Sequence, residues 1–313
     1  CRSRSRNVRA ILRTLAVSVL VAAGAVTYAV FRDVEAAQDV STPGVAAGGS
    51  AGEAAPIDGL EELFAAADRS ADGLPALIRE ASARIATLPA DEGDRLALRL
   101  EPYCARAFFS PVRFAGMERL GIALHTVGSG EVPGAIARRY GFSDGLLGRL
   151  NEGYAPRSLR VGQQLKVLDL RPAGLRLVVD RERHRLAALR RDPAGEGELV
   201  MMYVTVGLGA PEPRPPPGET QVVARALDCE WTDPNTGVTY APDDPGNLLG
   251  GYWMRLDEQG IGKQGIGLHG FTGEDPSAWL GRDASNGCVR MLQDDIDRVF
   301  HLALVGTPVR LAP

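Results

Sequence analysis

Two short stretches, "GLHG" at residues 267–270 and "SNGCVRM" at residues 285–291, decide the fold of the C-terminal part of the chain. The first ends an apolar, strand-like run, and its histidine, His269, is followed directly by a glycine. In the second, Cys288 follows three turn-forming residues, whereas a structural cysteine usually lies among apolar neighbours. The pattern predicts a reachable thiol in a tight turn, and a histidine presented at a strand end.

The residue types around this cysteine suit a nucleophile. A cysteine with an ordinary pKa of roughly 8.5 is only slightly ionised at neutral pH and needs a base, a role for which His269 is the natural candidate. Gly287 allows a substrate carbonyl to approach closely, and the amides of Gly287 and Cys288 are predicted to form an oxyanion hole. Arg290 adds a fixed positive charge and a fork for a carboxylate. No second cysteine or histidine lies at ligand spacing, so we expect neither a metal nor a cofactor.

The composition of the whole chain is that of a globular protein. Its 313 residues are 45% hydrophobic and 24% charged, enough for two or three packed domains. The net charge of −4 gives no sign of a nucleic-acid surface, so no nucleic-acid partner is expected.

The N-terminus has the pattern of a membrane anchor. Five arginines in residues 1–13 precede an uncharged run over 14–31, which as a helix would extend roughly 27 Å. This predicts a cytoplasmic basic segment and a transmembrane helix, with the rest of the chain exported. A signal peptide cleaved after residues 34–36 is the alternative. Residues 32–56, rich in small residues and proline, are predicted to be a flexible stalk.

Residues 57–122 show helical periodicity and are predicted to be an α-helical spacer or scaffold. Cys104 falls on an apolar stripe of one of these helices and is interpreted as packing. With Cys229 and Cys288 it makes three exported cysteines, so at least one thiol stays free. Whether Cys104 pairs with Cys229 is left open by the sequence.

Residues 123–168 read as two short strands, "LHTV" and "QQLKVL", that flank two short helices ending near glycines. This β-α-α-β unit resembles a LysM module, a family that binds N-acetylglucosamine glycans including peptidoglycan. In the loop at 130–133 the chain has Gly-Glu-Val-Pro where the family usually has Gly-Asp-Thr-Leu. A module retained only as a spacer is the alternative.

From residue 174 to 313 the pattern is mostly β, with hairpins, short strands and one helix at "DDIDRVFHLA". Fifteen residues, 270–284, lie between His269 and "SNGCVRM", and the two stretches together resemble the signature of the L,D-transpeptidase (YkuD) family. "GGYW" at 250–253, "PPG" at 216–218 and "DPSAWLG" at 275–281 extend the resemblance. The expected fold class is therefore multi-domain: a mostly β catalytic domain, sandwich- or barrel-like with one minor helix, preceded by the LysM module, the helical segment and the transmembrane helix.

The resemblance implies a reaction and its residues. Cys288 attacks the carbonyl between the diamino acid of a peptidoglycan stem and the following D-Ala, and His269 relays the proton. The carbonyl of Ser285 orients the imidazole. The thioester is then taken by an amine of another stem, giving a 3-3 cross-link. The further substrate-binding or supporting residues are Asn286, Gly287, Arg290, Gly270 and Tyr252.

Two other functions remain open at this stage. Water could take the same thioester, which gives an L,D-carboxypeptidase or endopeptidase. Alternatively, the chain could be a non-catalytic wall-binding protein that acts through its LysM module. In each case the expected partners are stem peptides and glycan strands. The expected location is the cell envelope, with the catalytic domain anchored at the inner membrane and facing the periplasm or wall.

Overall fold

The computed structural model describes residues 58–171, 174–210, 216–233 and 235–313. The predicted cytoplasmic segment, transmembrane helix and stalk, residues 1–56, lie outside this part of the chain. Within the described ranges, none of the helices combines the length and the apolar character needed to cross a bilayer.

Three amphipathic helices begin the described chain: α1 (Asp58–Arg69), α2 (Leu74–Ile85) and α3 (Ala90–Phe108). Single 3₁₀ turns follow α1, at Ala71–Gly73, and precede the next unit, at Met117–Leu120. Four apolar residues of α2 recur at helical spacing, fall on one face and are completely buried: Leu74, Leu77, Ile78 and Ala81.

The LysM-like unit has the predicted β-α-α-β order. Strand β1 (Ile122–Thr126) pairs antiparallel with β2 (Gln164–Leu168), and α4 (Pro133–Tyr140) and α5 (Gly145–Leu150) lie between them in sequence. A carboxylate oxygen of Glu131 lies 2.7 Å from His125 Nε2 and accepts the Gly128 amide at 2.8 Å. The glutamate in the unusual loop is therefore used to hold that loop against β1.

The C-terminal unit contains one eight-stranded mixed sheet, and its predicted strands and helix are present. The spatial order is β13-β11-β10-β7-β14-β3-β4-β5. The sheet strands are β3 (Leu175–Asp180), β4 (Arg185–Arg191), β5 (Glu198–Thr205), β7 (Gly218–Leu227), β10 (Tyr252–Leu256), β11 (Gly267–Gly270), β13 (Val289–Met291) and β14 (Pro308–Ala312). Two further short pairs join β6 (Leu208–Gly209) to β12 (Asp283–Ser285) and β8 (Trp231–Thr232) to β9 (Thr239–Tyr240). The helices are α6 (Glu258–Ile261), α7 (Pro276–Trp279) and α8 (Gln293–Leu302), so the structure adds two four-residue helices to the single one predicted.

The two edges of this sheet meet, as the predicted barrel-like form requires. Gly207 follows β5 at one edge, and Arg290 lies in β13 at the other. Their backbones exchange two hydrogen bonds, at 2.9 and 2.8 Å. The twist inherent in strands curls the sheet far enough for this contact. One end of the closure is therefore the strand that follows Cys288.

The helical segment packs on the strand at the β5 edge. The Cys104 thiol donates to the carbonyl of Val200 at 3.1 Å, and the Val200 amide donates to Ser82 Oγ at 3.0 Å. Glu101 on α3 accepts the Tyr203 amide and an Arg298 guanidinium N–H, each at 2.6 Å. This packing favours the scaffold interpretation over the spacer. Cys104, Cys229 and Cys288 are all free, so the optional Cys104–Cys229 bond is not formed.

The LysM-like unit packs on α8. Arg149, on α5, donates to Asp297 and Asp294, each at 2.5 Å. Ser143 Oγ lies 2.6 Å from His301 Nδ1. These contacts add side-chain bonds to the short connection between the two units and fix their relative orientation.

Candidate active site

Strand β11 places His269 and the turn before β13 on one face of the sheet. Leu268 and Val289 are register partners and both are buried in the core. Because side chains alternate along a strand, His269 and its partner Arg290 lie on the opposite face, which we call the site face. Cys288 directly precedes β13, two residues before Arg290, so the same alternation places its side chain on the site face.

Gly267 makes room for an indole beside the thiol. A Cβ at this position would lie 2.8 Å from the Trp253 ring and 2.5 Å from the carbonyl oxygen of Met254. Trp253 is the direct cross-strand partner of His269, and their ring centroids are 5.8 Å apart. The indole, the imidazole and the bare backbone of Gly267 therefore form one wall of the site.

His269 is held as a neutral base. It is only 7% exposed, and burial lowers its pKa to about 4, with the positive charge of Arg290 acting in the same direction. Its Nδ1 lies 2.5 Å from the carbonyl oxygen of Gly270. Because a carbonyl can only accept, Nδ1 carries the proton and Nε2 keeps its lone pair. Gly270 thus orients the imidazole, where the Ser285 carbonyl was predicted to do so.

Ser285 instead shapes the turn that carries the cysteine. Its hydroxyl donates to the carbonyl of Cys288 at 2.6 Å and accepts the Gly287 amide at 3.2 Å. Its own carbonyl accepts the amide of Ala210 at 2.9 Å. One of the two amides predicted to form an oxyanion hole, that of Gly287, is therefore engaged with Ser285 in this structure.

Cys288 is half-buried, with Sγ 3.5 Å from the carbonyl oxygen of Gly265. Burial raises the pKa of its thiol above the ordinary value, although the Gly267 backbone and the charges of Arg290 and Lys263 oppose this shift. With His269 neutral as well, the resting pair is a thiol and an imidazole. The proton must therefore move during attack, since no thiolate is stored beforehand.

Arg290 supports the turn from the site face. Its guanidinium stacks 3.8 Å above the ring of Phe271, and Nη1 donates to the carbonyl of Ala284 at 2.7 Å. Burial lowers its pKa. One of the guanidinium nitrogens predicted to bind a substrate carboxylate is thus already hydrogen-bonded to the backbone of Ala284.

Tyr252 does not face the site, contrary to the prediction. Its hydroxyl donates to Asp297 of α8 at 2.5 Å, and its ring packs edge-on against Phe300 at 5.2 Å. Burial raises the pKa of this hydroxyl, and the Asp297 carboxylate adds to the effect. Asn286 is exposed at the rim of the site.

The sequence analysis missed Trp253, Gly267 and Lys263. A signal for the first was present, because Met254 and Leu256 are the apolar alternates of "GGYWMRL" and mark the core face. Trp253 must then lie on the other face, with the histidine of the adjacent strand. Gly267 and Lys263 belong to the site because of how closely neighbouring strands and loops approach each other, and a local sequence pattern does not predict such distances.

The comparisons with known proteins agree with this division of the chain. Residues 174–311 match the profile of the YkuD family, described as the L,D-transpeptidase catalytic domain, and residues 125–168 match the LysM domain. Residues 174–311 are therefore similar to an L,D-transpeptidase catalytic domain, and residues 125–168 to a LysM domain. Both predicted resemblances are thereby confirmed.

The individual relatives share only part of their sequence and length with this chain. The Bacillus subtilis (strain 168) protein named "Putative L,D-transpeptidase YqjB" is 31% identical over 105 residues, which are 34% of this chain and 56% of that protein. The chain thus spans little more than half of that relative. L,D-transpeptidase 3 from Mycobacterium tuberculosis is 18% identical, with a TM-score of 0.32, over 49% of this chain and 66% of that one. A Stackebrandtia nassauensis L,D-transpeptidase is 18% identical, with a TM-score of 0.32, over 45% and 56%.

Within the L,D-transpeptidase domain, Cys288 and His269 occupy the two matched signature stretches and share the site face. In the described part of the chain, no three histidine, cysteine, aspartate or glutamate side chains are grouped so that they could hold a metal ion.

Proposed function

We propose that the chain is a peptidoglycan L,D-transpeptidase in which Cys288 is the nucleophile and His269 the general base. The observation that carries this proposal is the fixed tautomer of His269 on the site face shared with Cys288. The Gly270 carbonyl holds the Nδ1 proton, which leaves Nε2 free to accept the proton of a thiol.

The reaction proceeds in two balanced steps. Sγ attacks the carbonyl carbon of the diamino acid while its proton passes to His269 Nε2. The C–N bond to D-Ala then breaks, and the same proton leaves with the D-Ala amine. An amine of a second stem then attacks the thioester, and the C–S bond breaks as the new amide bond forms. The proton that the amine loses passes through His269 to the sulfur and restores the thiol. No external energy source is consumed, because one amide bond replaces another.

The LysM domain is proposed to hold glycan strands beside this site. Its contacts with α8 through Arg149 and Ser143 fix its orientation relative to Cys288, so a bound strand would raise the local concentration of stems. Wall-associated domains of these two kinds suggest an envelope location. We further propose that residues 14–31 anchor the chain in the inner membrane, with the stalk reaching toward the wall.

Muropeptide analysis of sacculi incubated with the full chain tests the function. We expect 3-3 cross-linked dimers with the wild type and none with Cys288→Ala, while the variant still sediments with sacculi. Products shortened by D-Ala without dimers would identify a hydrolase. Binding by both proteins with unchanged muropeptides would replace the enzyme by a wall-binding protein.

A further inference from the structure

The chain uses lysine at only two positions. Of its 35 lysines and arginines, Lys166 and Lys263 alone are lysines. In both, the ammonium group is enclosed by protein. A compact ammonium acts as a point charge, unlike the broad fork of arginine, so these two positions call for separate explanations.

Lys166 is explained by its partners. Its ammonium donates to the carbonyls of Ala107, Ser110 and Val112, at 2.7, 2.8 and 2.7 Å. It therefore ties β2 of the LysM domain to the end of α3. This lysine is structural.

Lys263 has no such explanation. Its Nζ is buried, and no hydrogen-bond acceptor for it lies among the described residues. Leaving a buried ammonium unpaired is costly, so the position is expected to meet an anion that the described residues do not supply.

The loop that carries Lys263 lies at the nucleophile. Gly262 and Gly265 both have left-handed backbone angles, with φ of 65° and 72°, and fold residues 262–265 into a tight turn between α6 and β11. The carbonyl oxygen of Gly265 is 3.5 Å from Cys288 Sγ. The charge of Lys263 is near enough to lower the pKa of that thiol.

We propose that Lys263 binds the C-terminal carboxylate of the donor stem and so selects stems whose leaving residue is the last one. This inference rests on the proposed function. In such a donor, only the amide nitrogen and one α-carbon separate the scissile carbonyl carbon from the terminal carboxyl carbon. During attack, this terminal carboxylate therefore lies close to the Cys288 thiol and to the loop that carries Lys263. A donor with a further residue would place a neutral amide against the ammonium.

Three soluble donor peptides test the assignment on the full chain. The first ends in the free carboxylate of D-Ala and the second in its carboxamide, and both carry a diamino acid that has a side-chain carboxylate. The third keeps the free terminus but has lysine, a diamino acid without that carboxylate, at the same position. The third removes the side-chain carboxylate, which is the other anion a stem could offer. The rate of D-Ala or D-Ala-amide release gives kcat and KM for each donor.

For the wild type we expect the free carboxylate to be preferred over the carboxamide by about 10- to 100-fold in kcat/KM, the range for a hydrogen bond to a charged group. Lys263→Met should lose this preference because its kcat/KM falls for the free-acid donor and stays the same for the carboxamide donor. Lys263→Arg should restore part of the preference. Arg95→Met removes the same charge from an exposed position on α3 and should leave the preference unchanged. Lys263→Met should also melt no lower than the wild type, because it removes an unpaired buried charge.

The possible results distinguish a failure of the Lys263 assignment from a failure of the proposed transpeptidase function. If Lys263→Met keeps the preference and only slows alkylation of Cys288 by neutral iodoacetamide, the lysine serves the thiol and the inference is overturned. The same holds if Lys263→Met changes the response to the third donor instead of the second, because the side-chain carboxylate would then be the partner. Release from no donor, even by the wild type, would refute the proposed function itself.

Discussion

Replacing Gly209 by alanine should disable the nucleophile without unfolding the protein. Gly209 lies in β6, which pairs with β12 beside the turn that carries Cys288. A Cβ on Gly209 would lie 2.3 Å from the Cα of Gly287, 2.5 Å from its nitrogen and 3.1 Å from its carbonyl carbon. All three are backbone atoms, so no side-chain rotation can relieve the contact.

The size of the effect follows from these distances. Ordinary carbon–carbon contact needs roughly 3.5 Å, so the turn or β6 must move by about 1 Å. The turn is tied on both sides, by Ala210 to Ser285 and by Gly207 to Arg290, which opposes relaxation. A misplacement of about 1 Å at a reacting group costs on the order of 10²-fold in rate. Overpacking of this kind also costs about 1–3 kcal/mol of stability, which a domain of this size should survive.

The assay is single-turnover acylation of Cys288 by a soluble donor, followed by intact-mass spectrometry, with thermal melting in parallel. Gly59→Ala is the matched control, because nothing lies within 4 Å of the methyl it would add in α1. We expect slow acylation for Gly209→Ala and an unchanged rate for Gly59→Ala. Acylation of Gly209→Ala at the wild-type rate, with the fold intact, would refute the claim that this contact positions the thiol.

Three further predictions follow from the described contacts. Alkylation of Cys288 by iodoacetamide should keep rising with pH beyond 9, because burial raises the thiol pKa; a plateau below pH 7 would indicate a stored thiolate instead. The base should stay competent in mildly acidic solution, since His269 has a pKa of about 4 and is neutral above it, so a loss of kcat centred near pH 6.5 would contradict its burial. Glu101→Leu should destabilise the fold by about 3 kcal/mol in chemical denaturation, because it leaves the buried Arg298 with fewer carboxylates, and Glu101→Leu combined with Arg298→Met should recover much of the loss.

Local patterns predicted most elements but not their partners. The spacing of Leu74, Leu77 and Ile78 predicts a helix with one buried face, yet periodicity does not say what covers that face. The cover is α3 together with β5, which lies more than a hundred residues later, and the hydrogen bond from the Val200 amide to Ser82 ties β5 to the helix. Nothing near Ser82 in the sequence indicates that partner.

The candidate site shows the same limit at closer range. Cys288 and His269 could be chosen from residue type and spacing, because the chemistry of a thiol and a base is local. The hydroxyl partner of Tyr252, Asp297 on α8, lies 45 residues away in sequence, so residue type alone did not place this side chain. The enclosure of Lys263 depends on a loop brought to Cys288 only by the complete sheet.

The contact between Gly207 and Arg290 also sets an order of events. It joins the two edges of the sheet across more than eighty residues. Closing so long a loop costs conformational entropy before the contacts that stabilise it have formed, so this contact is among the slow, non-local ones. Until that contact forms, the turn carrying Cys288 lacks one of its two supports. A newly made chain therefore carries Cys288 in an unsupported turn, and the setting of this thiol matures only as folding is completed.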